Sequence, residues 1–405
     1  MTAVLHDYVA VTGLLAVVVA MTYARLQRVP LSPPLLALAV GVLLGPEVLG
    51  VLGLSEEQRP HLLAETTRFL LAVSVMGVAL RYSINDARRR AGSVLVLLVV
   101  IMPVMAGVTA GLAGWLLGLP AAAAWLLGAA LSPTDPVLAT SVVTGEPAER
   151  TLPSRLRQVL SLESGANDGL ALPLVLVGLA LVKAEGFGAG LARGGYQVGA
   201  AIVLGVAIGL AAGKAIGIAE RHRQLDAGTR LVFAAVLALA TLGCARVISS
   251  DGILAVFVAG LAYNAVTTGA ETEGQEQIDD AMNRFLVLPI FVVFGVALPW
   301  QEWVTLGWPA LGFAVAVLLL RRIPAVAALA RPLHLAPPGA AYLAWFGPIG
   351  VSALFYLVLA EEEGAGIPEL WTAGSLVVAI SVVAYGVTGA PGRQLYGRWA
   401  AARGD

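Results

Sequence analysis

The sequence predicts an all-α, polytopic membrane protein with about 13 transmembrane helices. Of the 405 residues, 58% are hydrophobic and only 13% are charged. Apolar runs of about 17 to 27 residues follow one another along the chain, and runs of this length match the thickness of a bilayer. Because these runs do not alternate apolar and polar residues with a period of two, a transmembrane β-barrel is disfavoured.

Proline, glycine and charge clusters divide the chain into candidate spans. The spans lie at about 8–24, 33–52, 62–80, 93–118, 121–143, 156–183, 196–219, 229–247, 252–268, 282–300, 304–330, 339–360 and 369–390. The first run lacks a basic leader and a small-residue cleavage site, which predicts a retained span. The connecting segments are too short for a soluble nucleotide-binding domain. We therefore expect neither an enzyme, nor a cofactor, nor a nucleic-acid partner.

The distribution of positive charge predicts the orientation in the bilayer. Roughly 20 of the 25 lysines and arginines lie on the side of alternate loops that also carries the C-terminal tail, whereas an opposite loop carries Glu361–Glu363. Cytoplasmic loops are enriched in lysine and arginine. The sequence therefore predicts a protein of the cell membrane with its N-terminus outside and its C-terminus in the cytoplasm, which agrees with an odd number of spans.

Span five contains a predicted helix break. Pro133 and Pro136 flank Thr134 and Asp135, and each proline removes a backbone donor and disfavours helix in the residue before it. At a rise of ~1.5 Å per residue, Asp135 lies about 21 Å from the start of the span, near the midplane. Asp135 is a candidate ion ligand, and it is also a candidate N-cap for the second half of the span.

Span six carries a second acidic group at a matching depth. Asp168 lies about 18 Å from the start of its span, and an acid in hydrocarbon costs at least ~2.5 kcal/mol, which marks a functional group. Ser164 is one helical turn before Asp168 on the same face, whereas Glu163 points about 140° away. Asn167 either contacts an ion or caps the ends of broken helices.

Span twelve is interrupted by Gly347, Pro348 and Gly350 at a similar depth. Irregular backbone within a bilayer is tolerated only where protein buries it or where it lines a cavity. Broken helices at corresponding positions of two halves are typical of inverted-repeat secondary transporters, which bind substrate at the break. Spans five and twelve are each next to last in a block of six, and the two blocks begin on opposite sides of the membrane.

These motifs resemble those of the monovalent cation/proton antiporters, specifically the sodium/proton exchanger branch. The resemblance covers nearly the whole chain and rests on Thr134-Asp135-Pro136, Glu163-Ser164-x-x-Asn167-Asp168-Gly169, the run 285–295 and Gly347-Pro348-x-Gly350. It implies an inverted-repeat antiporter fold with two crossed discontinuous helices. It also implies a core domain of about 62–183 and part of 282–360, and a homodimer formed through about 1–52, 196–268 and the remaining helices.

The Asn167-Asp168 pair is similar to the electroneutral branch of the family, which implies one-for-one exchange of Na⁺ or Li⁺ against H⁺ by alternating access. A sodium ion prefers oxygen ligands, which the Asp168 and Asp135 carboxylates, the Ser164 hydroxyl and the unwound Thr134 segment would provide. Potassium/proton antiport by the same fold, sodium-coupled symport of an organic anion and a gated cation channel are the alternatives.

One position departs from the family pattern. Many exchangers have an arginine at the third position of the second break, where it pairs with the glutamate of span six, but this chain has Ile349. Arg321 and Arg322 of span eleven are the other deep cations that could hold Glu163. Alternatively, these arginines extend to the cytoplasmic surface, and Glu163 is protonated.

The predicted orientation can be tested by cysteine labelling. In a Cys244→Ser background, a cysteine at Glu362 should react with a membrane-impermeant maleimide in intact cells, because the acidic loop is expected outside. A cysteine at Arg398 should react only after permeabilisation and serves as the matched control. The reverse pattern would contradict the orientation.

Overall fold

The computed structural model describes residues 2–26, 32–135, 138, 146–221, 227–267 and 285–401. Over these ranges the regular secondary structure is helical, with no strand. The helices are α1 (Thr2–Leu26), α2 (Pro33–Leu44), α3 (Gln58–Arg81), α4 (Ile84–Leu117), α5 (Ala121–Ala130), α6 (Glu146–Thr151), α7 (Ser154–Val182), α8 (Phe187–Arg221), α9 (Ala227–Val247), α10 (Gly252–Asn264), α11 (Phe285–Val296), α12 (Trp300–Leu320), α13 (Ile323–Ala328), α14 (Pro337–Trp345), α15 (Val351–Glu362) and α16 (Pro368–Ala401). Pro136 and the start of the tenth predicted span lie outside the described ranges.

The prediction of an all-α polytopic membrane protein is confirmed. Within the described ranges, 6 helical segments are long and apolar enough to cross a bilayer by themselves. Shorter apolar helices lie between them. Helix α5, for example, has 10 residues and rises only about 15 Å, so it reaches about half-way through a hydrocarbon core of about 30 Å.

Several predicted boundaries are wrong because a helix continues beyond its apolar run. Helix α4 begins at Ile84, whereas the apolar run predicts a start near residue 93. Helix α8 extends over Phe187–Arg221, whereas the run predicts about 196–219. Apolar length indicates only the part of a helix in hydrocarbon, and adding a residue to an existing helix needs no apolar side chain.

The two predicted discontinuous helices are present. Helix α5 ends at Ala130, and the described residues that follow it, Leu131–Asp135, are not helical. Helices α14 and α15 are separated by residues 346–350, which are also irregular. Proline explains both interruptions, because Pro133 and Pro348 lie in these segments, lack a backbone donor and clash with a continuing helix.

Helix α7 lies at the centre of the fold. Its first half packs against α3, α4 and α10, and its second half packs against α5 and α8. Glycine allows the closest approaches: a Cβ atom on Gly178 would lie 2.9 Å from the Cα of Leu126 in α5. Small residues at helix interfaces are the usual means by which membrane helices approach closely. The acidic motif of α7 is therefore enclosed on several sides.

A buried ion pair links α7 to the end of α12. Arg322 forms two parallel bonds with Glu163, with Nη1 2.5 Å from Oε1 and Nη2 2.7 Å from Oε2. Both side chains are buried, and Nε of Arg322 donates to the carbonyl of Leu343 at 3.0 Å. A bidentate guanidinium–carboxylate pair fixes orientation as well as charge. The pair therefore holds α7, α12 and α14 in one arrangement.

We expect Glu163→Gln to destabilise the protein by about 3–5 kcal/mol, because it leaves the charge of Arg322 buried without a counterion. The thermal unfolding temperature of the purified protein measures this loss. The double variant Glu163→Gln, Arg322→Leu should recover part of it, since neither charge is then left unpaired.

Glu185→Gln is the matched control. Its carboxylate pairs with Arg193 at 3.4 Å, and both side chains are exposed. Exposed pairs contribute about 0–1 kcal/mol, so this variant should unfold close to the wild type. Equal losses for the two glutamine variants would contradict the role assigned to the buried pair.

Candidate functional site

The two helix breaks cross at Asp135. Its backbone N–H donates to the carbonyl of Pro348 in the second break at 2.9 Å. Its carboxylate accepts two further backbone bonds, Oδ1 from Leu138 at 3.1 Å and Oδ2 from Val351. Glycine at position 350 permits this close approach, because a Cβ atom there would collide with Oδ2 unless a side chain moved. Asp135 therefore caps the N-terminal end of α15 and also accepts a hydrogen bond from the backbone that follows the first break.

Arg321 donates hydrogen bonds to backbone carbonyls at the C-terminal ends of the two half-helices that precede the breaks. Its guanidinium donates through Nη1 to the carbonyl of Leu131 and through Nη2 to the carbonyl of Gly347, the latter at 2.6 Å. These carbonyls follow α5 and α14, where the last carbonyls of a helix lack intrahelical partners. Arg321 is buried, so neither it nor Arg322 extends to the surface. Of the two candidate arginines, Arg322 makes the ion pair with Glu163.

A cluster of neutral polar groups joins the first break to α7. The hydroxyls of Thr134 and Ser164 lie 3.1 Å apart, and Nδ2 of Asn167 donates to Oγ1 of Thr134 at 2.7 Å. All three side chains are buried. The break exposes Thr134 at the middle of the bundle, and the helical period places Ser164 and Asn167 on neighbouring faces of α7. The structure therefore brings together residues separated by about thirty positions in the chain.

Asp168 lies one turn beyond Ser164 and is 1% exposed. Its Oδ1 accepts a bond from the hydroxyl of Ser352 at 2.5 Å, whereas its Oδ2 has no hydrogen-bond partner among the described residues. Oδ1 of Asn167 is likewise buried without a partner there. Leaving a buried acceptor unsatisfied costs about 1–3 kcal/mol, and more if it is charged. These two oxygens are therefore positions at which a proton or a cation would be stabilised.

Asp135 and Asp168 belong to one site, because their chain neighbours Thr134 and Asn167 are joined by a hydrogen bond. Both Asp135 oxygens already accept backbone bonds, so Asp135 is the more constrained of the two carboxylates. Two like charges at one site favour neutralisation of one of them. The arrangement can therefore alternate between a protonated Asp168 and an ionised Asp168 with a bound cation.

Sequence reasoning missed two residues of α15. Ser352 bonds the Asp168 carboxylate, and the hydroxyl of Tyr356 donates to the backbone carbonyl of Asp168. The available signal was their position, in the first and second turns after the second break and on one face of α15. Isolated polar groups within an apolar span are functional candidates, but the sequence does not indicate which neighbouring helix they face.

The remaining predicted residues are positioned as follows. Pro133, Gly347, Pro348 and Gly350 lie in the two irregular segments. Pro136 lies outside the described residues. Ile349 is fully buried, and its backbone N–H donates to the hydroxyl of Ser381 at 2.8 Å. The second break is therefore tied to α16 at the position where many exchangers have an arginine.

Comparison with known proteins identifies relatives over most of the chain. A family model described as "Sodium/hydrogen exchanger, transmembrane" matches residues 13–392. The Na⁺/H⁺ antiporter 2 of Zygosaccharomyces rouxii is 31% identical over 354 residues, which are 83% of this chain and 43% of that protein. The Na⁺/H⁺ antiporter of Saccharomyces cerevisiae is 31% identical over 317 residues, 74% of this chain and 32% of that protein. The chain thus spans about a third to a half of the length of these relatives.

The fold also resembles a solved structure. The sodium proton antiporter MjNhaP1 from Methanocaldococcus jannaschii at pH 8 superposes with a TM-score of 0.71 at 19% identity, covering 98% of this chain and 97% of that one. At this identity the likeness concerns the fold, and it agrees with the crossed breaks described above. From its sequence, over nearly its whole length, the chain belongs to the sodium/hydrogen exchanger family.

Proposed function

We propose that the protein is a secondary antiporter that exchanges sodium or lithium ions for protons across a membrane. The observation that carries the proposal is the Asp168 carboxylate, which is buried beside two crossed helix breaks and has one oxygen without a partner among the described residues. The relatives named Na⁺/H⁺ antiporter support the same activity. The family consists of transporters, and catalysis of a chemical reaction is not part of this proposal.

The groups around Asp168 suit a small hard cation. The hydroxyls of Thr134 and Ser164, the free amide oxygen of Asn167 and the free carboxylate oxygen of Asp168 are all oxygen donors. Monovalent and divalent hard cations prefer such ligands to nitrogen or sulfur. Asp135 supports binding mainly through its negative charge, because its two oxygens accept backbone N–H groups.

The distribution of charge favours electroneutral exchange of one cation for one proton. Glu163 is neutralised by Arg322, Asn167 is neutral, and Asp135 balances the N–H groups of the broken helices. Among the acids at the helix breaks, Asp168 remains as the one that needs a mobile counterion. Moving it across the bilayer as a bare charge is too costly, so it carries either a proton or a cation.

The cycle that we propose follows from this alternation. On one side of the membrane Asp168 releases its proton from Oδ2 and accepts a cation, and on the other side it exchanges that cation for a proton. The core, about 62–183 and part of 282–360, would move against a dimerisation domain of about 1–52, 196–268 and the remaining helices. We place the protein in the cell membrane as a homodimer, with its N-terminus outside and its C-terminus in the cytoplasm.

Asp168→Asn should abolish exchange in proteoliposomes while the protein stays folded, because asparagine is nearly isosteric and removes only the titrating charge. Sodium-driven proton movement, followed with a pH-sensitive dye, is the measurement. Glu302→Gln removes an exposed carboxylate at the start of α12 and should exchange normally. Substantial exchange by Asp168→Asn would disprove the role of Asp168.

Protons and cations should compete for one site. Lowering the pH should raise the sodium concentration that gives half-maximal exchange, while saturating sodium restores the same maximal rate. An imposed membrane potential should leave the rate nearly unchanged, because one-for-one exchange moves no net charge. A steep dependence on potential would refute the stoichiometry, and equal rates with potassium would change the assigned cation.

A further inference from the structure

Asp251 is a buried acid that the cycle above does not use. It lies immediately before α10 and is 3% exposed. Its Oδ1 caps that helix by accepting the backbone N–H groups of Ile253 and Leu254, each at 3.0 Å. Its Oδ2 is buried and has no hydrogen-bond partner among the described residues. Capping therefore uses only one of the two carboxylate oxygens.

Asp251 lies close to the proposed ion site. Gly169, the residue after Asp168, contacts the start of α10 so closely that a Cβ atom there would lie 2.7 Å from the backbone nitrogen of Leu254. That nitrogen donates to Asp251. On its other side Asp168 is bound by α15, where the hydroxyl of Tyr356 donates to its backbone carbonyl. Two carboxylates with free oxygens thus flank one point of contact between α7 and α10.

The other charged groups in this region pair with one another. On α3, Arg68 pairs with Glu65, and Arg246 at the end of α9 lies 3.8 Å from the same glutamate. On the side of α8, the described contact of Asp251 is with backbone, since its N–H donates to the carbonyl oxygen of Gln197 at 3.5 Å. Among the described residues, Asp168 and Tyr356 are therefore the titratable groups nearest to Asp251 that are left without a countercharge.

These contacts also indicate the membrane face towards which a path from Asp168 to solution would lead. Arg59 at the start of α3 pairs with Glu361 at 2.8 Å, so the first turns of α3 lie at the membrane face that carries Glu361–Glu363. Glu65 and Arg246 belong to the same region, and both are exposed. The connection from α9 to α10 thus approaches Asp168 from this face, which we call the acidic face.

We propose that Asp251 is a proton-transfer residue between Asp168 and the acidic face, a step that rests on the proposed antiport. When Asp168 gives up its proton to take a cation, the O–H bond at Asp168 breaks, a bridging water accepts that proton and passes one of its own on, and an O–H bond forms at Oδ2 of Asp251. The charge of the carboxylate pair is unchanged in this transfer. Asp251 then releases the proton to water at the acidic face.

The surroundings of Asp251 suit the binding of a proton better than the binding of a metal ion. A proton needs one acceptor atom, which Oδ2 supplies, whereas a sodium ion needs several oxygens at once. A buried, unpaired carboxylate is also costly unless it is neutralised. The oxygens that would complete a cation site belong to Thr134, Ser164 and Asn167, which bond one another where the first break meets α7.

Three substitutions separate proton transfer from helix capping. Asn and Ser are as good as Asp at an N-cap position, so Asp251→Asn and Asp251→Ser keep the cap and remove the acid. Asp251→Glu keeps the acid but is a poorer cap. If Asp251 transfers protons, Asp251→Asn and Asp251→Ser should exchange ions slowly and Asp251→Glu should be active. If Asp251 is only a helix cap, the order of the exchange rates should be reversed.

Exchange is measured in proteoliposomes while the pH at the acidic face is varied and the opposite pH is held constant. Asp251→Asn and Asp251→Ser should slow exchange by about tenfold or more, a modest fraction of what positioned acid–base groups contribute. The size of this decrease in exchange rate should depend on the pH at the acidic face and not on the pH at the opposite face. Sodium-dependent thermal stabilisation should be retained, because the cation still binds at Asp168.

Wild-type rates in the Asn and Ser variants would overturn the proposal and leave Asp251 as a helix cap. Loss of sodium-dependent stabilisation would also overturn it, since Asp251 would then belong to the cation site. Failure of the antiport itself has a different signature, because the wild-type protein would then show no sodium-driven proton movement. Asp168→Asn, in which both exchange and sodium stabilisation should be lost, completes the comparison.

Discussion

The structure depends on neutralising the ends of two helices that stop in the middle of the membrane. Each helix break leaves carbonyls without donors on one side and N–H groups without acceptors on the other, and the low dielectric makes these partial charges costly. Arg321 donates to carbonyls from both breaks, and Asp135 accepts N–H groups on both. One cation and one anion therefore stabilise a crossing that water would otherwise have to solvate.

This solution leaves Asp168 as the carboxylate that is available for exchange. Asp135 is held by backbone bonds, and Glu163 is held by Arg322. Asp168 receives a single hydroxyl from Ser352, and its other oxygen has no hydrogen-bond partner among the described residues. A protein can keep such a group ionised in its interior only while a cation occupies the site. The charges of Asp135 and Glu163 are thus compensated within the protein, whereas in the proposed antiport the charge of Asp168 would be compensated by a proton or a transported cation.

The Glu163–Arg322 pair illustrates how one requirement can be met from different positions. The position that carries the pairing arginine in many exchangers holds Ile349 here, and that residue is buried and tied to α16 through its backbone. The guanidinium comes instead from the end of α12, through a side chain long enough to reach α7. What the fold requires is a bidentate cation beside the glutamate, since a buried carboxylate without one would have to be protonated.

The sequence by itself determined the membrane class, the two helix breaks and the sharing of one α7 face by Ser164 and Asp168, because apolar length, proline chemistry and helical period are local properties. It did not determine which arginine pairs with Glu163, and it gave no sign that Ser352 and Tyr356 bond Asp168 or that Gly169 contacts the helix that Asp251 caps. Those contacts join residues more than 80 positions apart. Only tertiary packing decided them, because the rotation of each helix about its axis depends on the neighbours against which it packs.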